Sequence, residues 1–173
     1  MKVNRDNKMN VVIQATMRCV MLGILLLVIV QVVFVLPSPA SAALGGDETT
    51  VRADQARMKG TLRSTPTKAY TVHEIKAQTG TVVKEYVSPT GKIFAVVWQG
   101  PFLPDLRQLL GSYFEQFSRS AQKLKSKRPR VRGPLMIQEP GLVVQTGGHM
   151  RAYFGRAYVP ELVPQGVPIE EIQ

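Results

Sequence analysis

The stretch Lys92-Ile93-Phe94-Ala95-Val96-Val97-Trp98-Gln99-Gly100-Pro101-Phe102-Leu103-Pro104-Asp105-Leu106-Arg107-Gln108-Leu109-Leu110-Gly111-Ser112-Tyr113-Phe114-Glu115-Gln116-Phe117 decides the fold. Its first part, Lys92 to Gln99, is the most apolar strand-like run in the chain. Gly100-Pro101 ends that run, and Pro104-Asp105 opens a helix. Leu106, Leu109, Leu110, Tyr113, Phe114 and Phe117 follow i, i+3, i+4, i+7, i+8, i+11 spacing, so they share one helix face. Asp105 suits the positive end of the helix dipole. Gly111 inside the helix costs about 1 kcal/mol relative to alanine, and a close approach to a sheet would account for it. Six large side chains on one face need an apolar partner, and the sheet supplies it.

Two more strand-like runs precede this stretch. Lys68 to Ala77 alternates Tyr70 and Val72 with Thr71 and His73, and Thr81 to Val87 is rich in β-branched residues. Gln78-Thr79-Gly80 and Ser88-Pro89-Thr90-Gly91 are turn sequences, so the three runs form an antiparallel meander. Further upstream, Asp47 or Thr49 caps a short helix to about Lys59, with Val51, Met58 and Leu62 as its apolar stripe, and Ser64-Thr65-Pro66 breaks the pattern. Downstream, Gly141 to Gln145 and Met150 to Tyr158 are strand-like, joined by a hairpin turn at Thr146-Gly147-Gly148-His149. Ile169 to Ile172 forms at most one helical turn. The order α-β-β-β-α-β-β predicts an α+β fold: a small two-layer sandwich with an antiparallel sheet of about five strands and one main amphipathic helix.

The 22 Lys and Arg against 12 Asp and Glu give a net charge of +10. Seven of the basic residues, and no acid, fall between Arg119 and Arg132. Like charges at that density favour an extended segment, so residues 119–134 are expected to be a basic flexible linker. Residues 43–118 and 135–173 then complete a single domain around it.

Residues 1–42 have the order of a secretory signal. A basic stretch precedes an apolar run from Cys19 to Leu36, followed by Pro37, Pro39 and the small-residue site Ala40-Ser41-Ala42. Cleavage is expected after Ala42, and the alternative is an uncleaved inner-membrane anchor over residues 19–36. Cys19 is the sole cysteine, which excludes an intramolecular disulfide and a cysteine-rich metal site. The protein is therefore expected to be exported, periplasmic or secreted.

Several short segments carry a family likeness. They are Ala43 to Asp47, Tyr70 to Glu74, Glu85 to Pro89, Phe94 to Pro101, Pro104 to Gly111, and Gly147 to Arg151. Together they resemble the secreted proteobacterial domain-of-unknown-function family 2844, across most of residues 43–166. The resemblance implies export and a single domain, with the basic segment as the part that varies. It implies no activity.

Residues able to carry chemistry are few. His73 and His149 sit far apart, without the His-x-His or His-Glu-x-x-His spacing of a metal site, so no metal and no cofactor is expected. No Gly-x-Ser-x-Gly elbow is present, and Ser88 before Pro89 belongs to a turn. Glu74 and Glu85 can face each other across the first hairpin, but Lys76 and Lys84 lie equally near and make a solvated charge ladder. Gly147-Gly148-His149 lacks the helix that must follow a phosphate-binding loop. Trp98, Gln99 and Phe102, with His149 and Arg151, are a candidate ligand edge at the end of the sheet. Arg107 and Arg156 are further sources of charge near that edge.

Arg119, Lys123, Lys125, Lys127, Arg128, Arg130 and Arg132 are the candidate anion-binding residues. The expected function is a non-catalytic periplasmic or secreted interaction module, contacting an unknown protein or an anionic envelope component. Export argues against nucleic acid as its partner, and membrane contact is expected only through the leader or surface electrostatics. One alternative is an envelope-acting hydrolase or transferase using Glu74, Glu85 or His149. Another is a membrane-anchored accessory protein.

Overall fold

The computed structural model describes residues 44–127 and 133–173. The leader or anchor expected over residues 1–42 lies outside the described residues, as do Arg128, Arg130 and Arg132. Among the described residues no helix is long and apolar enough to cross a membrane.

Seven antiparallel strands form one sheet. They are β1 (Thr61–Pro66), β2 (Thr71–Lys76), β3 (Val82–Val87), β4 (Ile93–Gly100), β5 (Leu135–Glu139), β6 (Leu142–His149) and β7 (Ala152–Tyr158). Their spatial order is β1-β2-β3-β4-β7-β6-β5, so β1 and β5 are the edges. The helices are α1 (Val51–Arg57), α2 (Leu106–Leu110) and α3 (Phe114–Lys127), with a 3-10 turn at Glu48–Thr50 leading into α1.

The expected meander is present as β2, β3 and β4, and two strands were not anticipated. β1 has a mostly exposed sequence, Thr-Leu-Arg-Ser-Thr-Pro, in which Leu62 alone is half-buried, so it carries no apolar alternation. β5 follows directly on the basic run, and its Leu135 and Ile137 point inward. The expected turn at Thr146–His149 is part of β6. The chain reverses instead at Met150–Arg151, where Arg151 takes φ 65°. Gly147 serves close approach: a Cβ there would lie 3.0 Å from the ring of Phe154 on β7.

The amphipathic helix is also corrected. Gly111 adopts φ 51°, which an L side chain rarely takes, and it divides the helix into α2 and α3 with a 3-10 turn between them. All six predicted face residues still join the main core, in which Leu109 and Leu110 are fully buried. The Asp105 carboxylate accepts hydrogen bonds from the Arg107 and Gln108 amides at 2.9 and 3.3 Å. Replacing Asp105 with alanine is expected to cost about 1 kcal/mol in urea unfolding. α3 then runs on to Lys127, so residues 119–127 are helix rather than flexible linker.

Alternation divides the strands between two faces. Ile75, Val83, Val87, Val96, Trp98, Val144 and Ala157 point toward the helices, where Val51 of α1 and Phe117 of α3 join the same core. On the opposite face Tyr86, Phe94, Ala95 and Ile172 form a second, smaller core. A bulge makes this possible: Tyr86 pairs with Ala95 and Val87 with Ile93, leaving Phe94 unopposed. The C-terminal tail covers that patch. It is held by Tyr86 Oη donating to the Gln173 carbonyl at 2.7 Å and by Arg156 Nη1 donating to the Ile169 carbonyl at 3.0 Å. The predicted two-layer arrangement thus gains a partial third layer.

Candidate functional site

The first candidate is the basic end of α3. Ser120 faces inward and donates to Glu139 Oε1 of β5, which fixes the helix rotation. Arg119 and Lys123, one turn apart, are then exposed on a shared face, and Lys125 is exposed as well. Among the described residues none of the three makes an ion pair, whereas Lys92 pairs with Asp47 and Arg107 with Glu115. Beside Lys123 is a groove of about 310 Å³, flanked by Leu124 and Met136. These two apolar side chains are 37% and 50% exposed, so they stand in solvent next to the cations.

The second candidate is a polar row beneath the N-terminal helical turn. Ser64 of β1 pairs with His73 of β2, and His73 pairs with Glu85 of β3. Three polar side chains therefore line up across three strands on the helix-facing side. Ser64 Oγ lies 2.7 Å from His73 Nδ1, and His73 Nε2 lies 2.9 Å from Glu48 Oε1. His73 is buried, whereas Ser64 is exposed and the Glu48 side chain is half exposed.

Glu85 meets Asp54 of α1, and both are fully buried. Burial raises Glu85 to about 9, with the neighbouring Asp54 charge adding to the effect. Burial also raises Asp54, to about 6, against the opposing pull of its hydrogen bonds with Gln108 and Glu85 and of the Arg57 charge. Gln108 Nε2 donates to Asp54 Oδ1 at 2.6 Å. Asp54 Oδ2 and Glu85 Oε2 have no hydrogen-bond partner. Near pH 7 Glu85 is therefore the protonated member and stabilises its neighbour by donating to it.

The sequence-predicted residues fall out differently. Glu74 pairs with Lys84, not Glu85, and the two glutamates lie on opposite faces because they are out of phase in the register. His149 lies at the far end of β6 from them, in solvent. No acid/base set forms from Glu74, Glu85 and His149. The ligand edge is also not assembled as expected. Trp98 is fully buried in the main core, while Gln99, Phe102, His149 and Arg151 are exposed. β7 separates Gln99 on β4 from His149 on β6. Arg107 is engaged with Glu115 and the Phe114 ring, and Arg156 with Gln145 and the tail. Among the described residues no three His, Cys, Asp or Glu side chains are placed to hold a metal ion.

Asp54, Glu48 and Ser64 escaped the sequence reading. Their partners are 31, 25 and 9 positions away in the chain, joined only by sheet register and helix docking. One signal was present: Glu85 sits in phase with Val83 and Val87, the inward positions of β3.

The described residues thus form an α+β domain built on a single antiparallel sheet, with helices on one face and an extended tail on the other. The chain belongs to the DUF2844 family of proteins of unknown function, which it matches over residues 40–172. No curated protein and no solved structure matches it.

Proposed function

We propose that this protein is an exported module that docks on the anionic lipid surface of the cell envelope through the end of α3 and the basic residues that follow it. The observation that carries the reading is the set Arg119, Lys123 and Lys125, exposed and without an ion-pair partner on a folded helix. Unpaired cations on a rigid element keep their charge available to headgroup phosphates. The exposed Leu124 and Met136 beside them suit a bilayer interface, where apolar side chains enter beneath the headgroups. The leader-like residues 1–42 supply the route, and the family match begins at residue 40, beside the predicted cut.

Each cation near an anionic surface contributes about 1 kcal/mol. The three described cations together correspond to roughly a hundredfold in affinity. Co-sedimentation with phosphatidylglycerol-containing vesicles tests this. Binding should be strong at low salt, weaken steeply as salt is raised, and be absent on phosphatidylcholine vesicles. Binding indifferent to salt, or equal on both lipids, would contradict the reading.

A further inference from the structure

We propose that Ser64, His73 and Glu48 form an acyl-transfer site that acts on short-chain carboxylic esters. This goes beyond docking and rests on separate residues. It also revises the expectation of a module without chemistry.

The geometry orders the protons. Glu48, as a carboxylate, can only accept, so His73 Nε2 carries the hydrogen that bridges their 2.9 Å contact. In the neutral imidazole His73 Nδ1 is then the bare nitrogen, 2.7 Å from Ser64 Oγ, and it accepts the serine hydrogen. A base oriented by a carboxylate, within hydrogen-bond reach of a hydroxyl, is the arrangement that activates a serine nucleophile. His73 is buried, while Ser64 is exposed on the edge strand β1.

A groove of about 490 Å³ opens beside these residues. Val51, Leu62 and Pro66 give it apolar walls, and Arg52 is the cation among its lining residues. The apolar walls suit a short acyl chain, and the Arg52 guanidinium supplies donors for the developing oxyanion.

The reaction balances without any other reagent. Ser64 Oγ bonds to the ester carbonyl carbon while its proton passes to His73 Nδ1. The carbon–oxygen bond to the leaving alcohol breaks, and that oxygen takes the proton from Nδ1. Water then attacks the acyl carbon and gives a proton to His73. The bond to Ser64 Oγ breaks, the serine recovers the proton, and the carboxylic acid leaves. Ser64 and His73 are the catalytic residues, and Glu48 is a positioning residue.

The test uses the purified full chain. It is treated with a fluorophosphonate probe and the modified residue is mapped by peptide mass. Hydrolysis of p-nitrophenyl acetate is followed in parallel. Labelling is expected at Ser64 and should vanish in Ser64→Ala, whose fold is verified by circular dichroism because the change removes the hydrogen-bond partner of buried His73. Hydrolysis should fall about a hundredfold or more in that variant. Glu48→Gln should lower kcat about tenfold or more with a smaller effect on KM, because glutamine keeps the size of this groove-lining side chain while it disturbs the base. Absence of label at Ser64 in folded wild-type protein would overturn the proposal. So would hydrolysis that survives Ser64→Ala. A purely structural hydrogen-bond chain would show Glu48→Gln lowering the thermal midpoint with no label at Ser64.

Discussion

Replacing Glu85 with glutamine is expected to raise the thermal midpoint at pH 9 and to leave it close to wild type near pH 4. The sign follows from proton linkage. Glu85 is raised from 4.5 to about 9 and Asp54 from 3.8 to about 6, so the folded state holds protons that the unfolded chain has released. The stability these protons contribute is fully present below about pH 4. It is lost progressively as pH climbs toward 9, because the unfolded chain ionises these carboxyls freely in water while the folded state must keep them protonated. In Glu85→Gln the new side chain stays neutral at every pH, and its amide can donate to Asp54 as the protonated glutamate does. Each kcal/mol recovered moves the midpoint by about 2–8 °C for domains in this size range. Wild-type protein should therefore show a midpoint falling from mildly acid to alkaline pH, and the variant a flatter profile. Parallel profiles for the two proteins would mean that Glu85 is not the group being titrated.

Substituting Gly155 with alanine should destabilise the domain by about 3 kcal/mol, the upper end of the usual overpacking cost. Gly155 on β7 pairs with Trp98 on β4, and the indole ring lies over the glycine. A Cβ there would run into the indole ring atoms Cζ2 and Cε2. It would also sit 2.8 Å from the Gln145 carbonyl oxygen, which is backbone and cannot swing aside. Trp98 itself is fully buried. Urea unfolding gives the loss directly. Trp98→Leu, destabilising on its own, should restore part of the stability of Gly155→Ala when the two are combined, because the pair shares one volume. Additive losses would contradict this packing.

Both predictions rest on features that the sequence disclosed unevenly. The β2–β4 meander and the face formed by Leu106 to Phe117 were legible because apolar spacing alone specifies them. β1 was not legible, because an edge strand buries little and needs no alternation. The break at Gly111 was visible as a glycine but not as a left-handed residue. The basic run looked like a linker because its charge density disfavours compaction. The helix nevertheless reaches Lys127, with Phe117 in the core and Ser120 tied to Glu139 anchoring it to the sheet. The polar row was the least legible. Ser64, His73 and Glu85 are brought together by the register of three strands, and Glu48 and Asp54 by a helix lying above them. Spacing along the chain carries none of that information.

Docking through the end of α3 is tested most directly by charge reversal at the three described cations. Arg119→Glu, Lys123→Glu and Lys125→Glu, combined in one chain, alter exposed positions and should leave the folded circular dichroism spectrum in place. Affinity for phosphatidylglycerol-containing vesicles should fall by at least about a hundredfold, and the salt dependence should flatten. A folded triple variant that binds those vesicles as tightly as wild type would contradict the account.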